Sequence, residues 1–173
     1  MTDAALVVAL ANAQAKRRPP RARSAVEHDA LADTARANEL LEPFLDDPVE
    51  EHDLPAVRTL QRAVVAVVDA LIDGTEPPVE ALTTPAVCAL EAEPDGTLRT
   101  TVRPRRPSAP ATLVIAAIRE LSELDPARLR RCARPECSLV FYDATRSGTQ
   151  RWHAESPCGL RERQRRHRAR QSA

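Results

Sequence analysis

Four residues in the last third of the chain, arranged as Cys132-x4-Cys137 and His153-x4-Cys158 with fifteen residues between the pairs, limit the fold more than anything else in the sequence. Two close pairs of sulfur and imidazole donors a hairpin's length apart can be brought to one point by a short chain. That arrangement suits a tetrahedral zinc ion and leaves no coordination position open for water. The expected cofactor is one structural Zn2+ held by Cys132, Cys137, His153 and Cys158. Asp143 as the fourth ligand, or a site with only three protein ligands, is the alternative to His153. Three thiolates and a neutral imidazole leave a net charge of about −1, which Arg131, Arg134 and Arg151 are placed to offset. Between the pairs, Leu139 to Tyr142 has strand composition, Ser147-Gly148 marks a turn, and Arg151-Trp152-His153 is the expected returning strand. Phe141 and Trp152 are expected inside, because so short a module needs them as its core.

The 25 basic and 25 acidic residues cancel in total, but not along the chain. Residues 1–126 carry thirteen Lys and Arg against twenty-one Asp and Glu, a balance of −8; residues 127–173 carry twelve Arg against four acids, a balance of +8. An acidic body with a basic end implies a polyanionic partner for the end, and an acidic body able to pack against that end and mask it. Hydrophobic residues are 43% of the chain while aromatics are 2%, so the core must come from Ala, Val and Leu, a composition that favours helices.

Read in order, Thr2 to Gln14 reads as a short amphipathic helix, or a strand entering one, with Leu6, Val7 and Leu10 on the buried side, and Arg17 to Arg23 is a proline-interrupted loop with solvated arginines. Asp33 caps a helix running to Pro48, with Leu40, Leu41, Phe44 and Leu45 on one side. A longer helix is expected from a capping Asp53 to Gly74, with Val57, Leu60, Val64, Val67, Val68, Leu71 and Ile72 at three- and four-residue steps forming the first core. Asp95-Gly96 between Val87–Glu93 and Thr97–Arg103 predicts a hairpin, in which Cys88 is expected as a buried structural thiol. Pro110 introduces a further helix through Leu113 and Leu121, and Asp125-Pro126 caps a short one, PARLRRC, leading without a spacer into Cys132. The fold class expected is mainly α with a small β-hairpin (α+β) over residues 1–126. Residues 127–173 form a zinc-ribbon or treble-clef-like finger, a β-hairpin plus a basic helix, and the two units pack together.

The segment RRCARPECSLVFYDATRSGTQRWHAESPCGLRERQRRHRAR resembles the CGNR zinc finger. It carries the Cys pair Cys132 and Cys137, the stretch Phe141-Tyr142-Asp143-Ala144-Thr145-Arg146, Arg151-Trp152-His153, and Cys158-Gly159-Leu160-Arg161. Two positions depart from the family pattern: His153 stands where the family has cysteine, which keeps the site as Cys3His, and Leu160 stands where it has asparagine. The upstream helices and hairpin are similar to the ABATE domain that precedes this finger. The resemblance implies a transcription regulator that binds DNA through the finger.

The residues themselves point the same way. After Cys158-Gly159 the chain reads as a helix with almost no apolar face, Arg161, Arg165 and Arg168 on one side and Arg163, Arg166 and Arg170 on another, so that phosphates would relieve its self-repulsion. Arg146 and Arg151 complete the expected nucleic-acid-binding set. The expected partners are DNA, a second copy of the chain through residues 1–126, and a small-molecule effector of that part. RNA or an acidic protein bound by a zinc-stapled module is the alternative. His28-Asp29 and His52-Asp53 lack any accompanying catalytic motif and read as turn or capping pairs, so no enzyme is expected. No apolar run is long enough to span a membrane, and Asp3 before the first apolar run with basic residues behind it is the reverse of a secretory signal. A cytoplasmic location follows, where closely spaced cysteines ligate metal rather than pair.

Overall fold

The structure is a computed structural model that describes residues 5–17 and 26–171. Thr2 to Ala4 of the expected first helix and Arg18 to Arg23 of the expected arginine loop lie outside the described residues.

Helix α1 (Ala5–Ala11) buries Leu6, Val7 and Leu10 against α3 (Leu54–Asp73) and α4 (Ala109–Glu123). Its first-turn amides, which have no partner within the helix, donate to the Glu120 carboxylate of α4, Leu6 N at 3.0 Å and Val7 N at 2.9 Å. Strands β1 (Gln14–Arg17) and β2 (Val26–Asp29) pair antiparallel, and Asp33 caps α2 (Thr34–Leu41) by accepting from Arg36 N. The helix is shorter than the sequence implies, because the chain tightens into a 3-10 turn over Glu42–Phe44 that contains Pro43.

Helix α3 is the centre of the core. Val57, Leu60, Val64, Val67 and Val68 are all buried, and Gly74 closes it at φ +68° with its amide on Ala70 O. Asp53 does not cap it. Its backbone is already helical (φ −80°, ψ −26°), so its carboxylate turns back to accept from Glu50 N instead of reaching forward.

Strands β3 (Ala86–Ala92) and β4 (Leu98–Pro104) form the expected hairpin about Gly96 (φ +83°). Cys88, expected to be buried, is exposed. The physical reason is the choice of face. Strand β4 packs on α4 with Thr101 as its buried residue, while Cys88, Leu90, Leu98 and Val102, which share the other face by the pairing register, remain at the surface. Leu90 and Leu98 are each 67% exposed.

Two expectations for the C-terminal part are corrected. Pro126–Arg128 is a single 3-10 turn, and Leu129–Arg131 leaves it as strand β5 rather than continuing as helix. Strand β5 pairs antiparallel with β6 (Val140–Tyr142), so the partner of the Leu139–Tyr142 run is Leu129–Arg131 and not Arg151–His153. Burial decides this: Leu129 and Val140 both enter the main core, which an upstream partner strand lying on α3 allows. The last described element is α5 (Leu160–Gln171). The architecture is α+β, five helices with three two-stranded antiparallel sheets among the described residues.

Side chains join the C-terminal part to the helices. The Asn12 amide treats β6 as a strand would, donating to Val140 O and accepting from Val140 N, both at 2.8 Å. Arg131 at the end of β5 reaches α3, binding Asp69 at 2.7 Å and Asp73 at 2.6 Å.

Candidate metal centre

The first ligand pair forms a knuckle at the end of β5. Cys132 N donates to Leu139 O (2.9 Å) and Cys137 N to Arg134 O (3.0 Å), turning both sulfurs to one side. Ala133 N donates to Arg151 O at 2.8 Å, which draws the Arg151–His153 segment alongside although it is no strand. A kinked turn over Glu155–Gly159 carries Cys158 and opens directly into α5. Cys132 and Cys158 are buried, Cys137 and His153 partly so.

These four residues are brought together with one donor atom from each within 4.8 Å of all the others. Cys137 Sγ and His153 Nδ1 are 3.6 Å apart. A tetrahedral ion with Zn–S of about 2.3 Å and Zn–N of about 2.0 Å needs donor separations of about 3.5 to 3.8 Å; the Cys137–His153 pair already lies in that range, and the outermost pairs need draw in by about 1 Å at most. The electrostatics point the same way. Burial, reinforced by the neighbouring Cys132 and Cys158 sulfurs, pushes the Cys137 thiol up to about 12. Burial and Cys132 raise Cys158 as well, against the opposing hydrogen bond from Arg134. Three thiols this close cannot all ionise unless a cation supplies the missing positive charge.

Residues around the ligands hold this site, and Asp143 does so in a role other than the alternative ligand it was expected to be. Arg134 is 6% exposed and donates to Glu136 at 2.7 and 2.8 Å. Its charge is maintained against burial by Glu136 and, secondarily, by Cys158. Asp143 is fully buried outside the donor cluster. It accepts from the Thr145 hydroxyl and amide and, at 2.7 Å, from Gln150 N, bonds that hold its carboxyl below the usual carboxylate range. Its position within the Phe141 to Arg146 stretch was the available signal: it closes the 143–150 loop rather than binding metal. Gly159 sits where a Cβ would lie 2.5 Å from Glu155 Oε2 and 3.1 Å from Trp152 Cε3, so a larger residue here would push the Glu155 carboxylate aside and press on the Trp152 ring. Phe141 is buried and Trp152 partly so, lining the finger as expected.

The arginines are distributed around this frame. Arg146 is exposed in the loop, and Arg151, also exposed, lies 5.6 Å over the Trp152 ring. On α5, Arg161 is half-buried, while Arg163, Arg165, Arg166, Arg168 and Arg170 are exposed. Glu162, the one buried residue of the helix, accepts from Arg165 at 2.8 and 2.9 Å and from Arg166 at 3.0 Å. Those bonds, Arg165 first, hold its carboxyl down at about 2. Arg163 pairs with Glu155. Arg131 serves the seam with α3 instead of balancing the ligands.

A short Cys3His module that leads into a basic helix defines a zinc finger. Residues 128–171 match the CGNR zinc finger family, and the cluster is compatible with one structural zinc ion in that finger. No curated protein matches the chain. Among the described residues no helix is long and apolar enough to cross a membrane.

Proposed function

We propose that this is a zinc-dependent transcription regulator of the cytoplasm that binds DNA through the finger and α5. Its N-terminal part, ABATE-like in sequence pattern, then senses a small-molecule effector or mediates dimerisation. The observation that carries the reading is α5 itself. Its only buried side chain is a carboxylate, and five of its arginines are exposed, so packing gives the helix little and a polyanion would give it much. Zinc supplies folding energy to the short segment that aims this helix. Dimerisation is supported by the apolar Cys88, Leu90, Leu98 and Val102 face of the hairpin, which nothing in the chain covers among the described residues. No feature of the site calls for catalysis, since four protein ligands leave zinc no open position.

The test is binding of the zinc-loaded protein to duplex DNA across a salt series. Affinity should fall steeply with salt and vanish in excess chelator. Salt-insensitive binding retained in chelator would sink the reading, and equal affinity for duplex DNA, single-stranded RNA and heparin would select the interaction-module alternative.

A further inference from the structure

The arginines of α5 are arranged around a stripe that contains none. At about 100° per residue, Leu160, Gln164, His167 and Gln171 fall within an arc of about 60°. All four are exposed, Leu160 at 45%, and Gln171 Nε2 lies 3.1 Å from His167 Nε2, which places those two side by side. Arg161 and Arg168 flank the stripe on one side and Arg163 and Arg170 on the other. The opposite face carries Glu162 and Ala169, with Glu162 buried beneath Arg165 and Arg166. Glu162 is the buried residue of α5 while the four stripe residues are exposed, so the rear face lies toward the protein and the uncharged stripe looks away from it.

We infer that Leu160, Gln164 and His167 read base edges in the major groove of duplex DNA, with the two flanking arginine rows on the phosphates of either strand. The inference rests on the DNA-binding reading and adds to it the residues that set sequence preference. An α-helix fits the major groove, about 12 Å wide, with base-reading side chains along its centre and cations at its margins. A stripe without charge is what base reading requires, since arginines throughout would bind any sequence alike. Gln164 offers the paired donor and acceptor that match adenine N6 and N7, and Leu160 offers an apolar surface to a thymine methyl. An exposed leucine at the head of a helix otherwise wholly polar, Ala169 aside, gains from such burial. The expected target therefore contains neighbouring adenine and thymine.

The experiment selects bound duplex fragments with the zinc-loaded full chain and then measures affinity for the preferred duplex, a scrambled duplex, and preferred duplexes carrying uracil for thymine or 7-deazaadenine for adenine. For the native protein, removing the thymine methyl should weaken binding about fourfold, and removing adenine N7 about tenfold. L160A should lose the first effect and Q164A the second, each with zinc content and scrambled-duplex affinity unchanged. A native protein that binds all duplexes alike, or variants that keep the full native preference, would overturn the inference while leaving DNA binding intact. A native protein that binds no duplex at all would remove both.

Discussion

Arg131, the last residue of β5 and the neighbour of the first zinc ligand, binds Asp73 in the final turn of α3 at 2.6 Å. An acidic residue at a helix C-terminus opposes the helix dipole, and Arg131 offsets it while also holding Asp69 one turn earlier. The bond joins the metal centre's strand to the helix that organises the core. Arg131→Ala should lower stability by about 1 kcal/mol or less, because all three side chains are substantially exposed. The loss should shrink at high salt. Thermal unfolding in low and high salt checks this, and a loss insensitive to salt would assign Arg131 a packing role instead.

Replacing the histidine ligand separates donor identity from position. His153→Cys should retain one zinc per chain as a four-sulfur site, whereas His153→Ala should bind zinc more weakly and leave the finger less protected. Zinc content after dialysis, together with hydrogen exchange of the Cys132 and Cys137 amides, distinguishes them. Equal zinc retention by both variants would remove His153 from the ligand set.

Protons compete with the metal, and the sign follows from the raised thiols. In the metal-free protein Cys137 stands at about 12 against an ordinary 9.0. Its contribution to stability is therefore intact below about pH 9 and lost as pH rises toward 12. Zinc reverses the preference by binding the thiolates, so uptake near neutral pH should release about three protons per ion and tighten as pH rises. Calorimetric zinc titrations in buffers of different ionisation enthalpy measure the release; uptake without proton release would contradict the three-thiolate site.

Gly159→Ala should destabilise the finger by about 1 kcal/mol. The added methyl forces Glu155 aside from its pairing with Arg163 and presses on Trp152. Combining it with Glu155→Ala should recover part of the loss by clearing the nearer contact. Unfolding curves of the single and double variants decide, and no recovery would place the cost on Trp152 alone.

Much of the site was legible in sequence because its chemistry is local. Paired donors at hairpin spacing, a Cys-Gly step and a run of arginines each carry their meaning within a few residues, and the long helix α3 announced itself by its apolar period. Capping at Asp33, the turn at Gly96 and the stop at Gly74 were legible for the same reason. The Asp53 cap and the length of α2 were misread for local reasons, the Glu50 amide and Pro43, whereas two other misreadings arose because the deciding contact lay far away in sequence. Cys88 has the apolar neighbours of a buried thiol, but only the Thr101 face of its hairpin had α4 to rest upon. Leu129–Arg131 looked like a helical turn until pairing with Val140–Tyr142 offered burial of Leu129 against α3.

The sequence by itself thus determined which atoms can hold zinc and where the basic helix begins, since spacing, donor type and charge are properties of neighbours along the chain. Tertiary structure decided what surrounds them. It sent Arg131 to Asp69 and Asp73, Asp143 into the 143–150 loop, and Glu162 to the buried side of α5. Arg131 found its partners 58 and 62 residues away, a pairing no local pattern encodes, and the burial of Glu162 set which face of the helix is left to meet a partner.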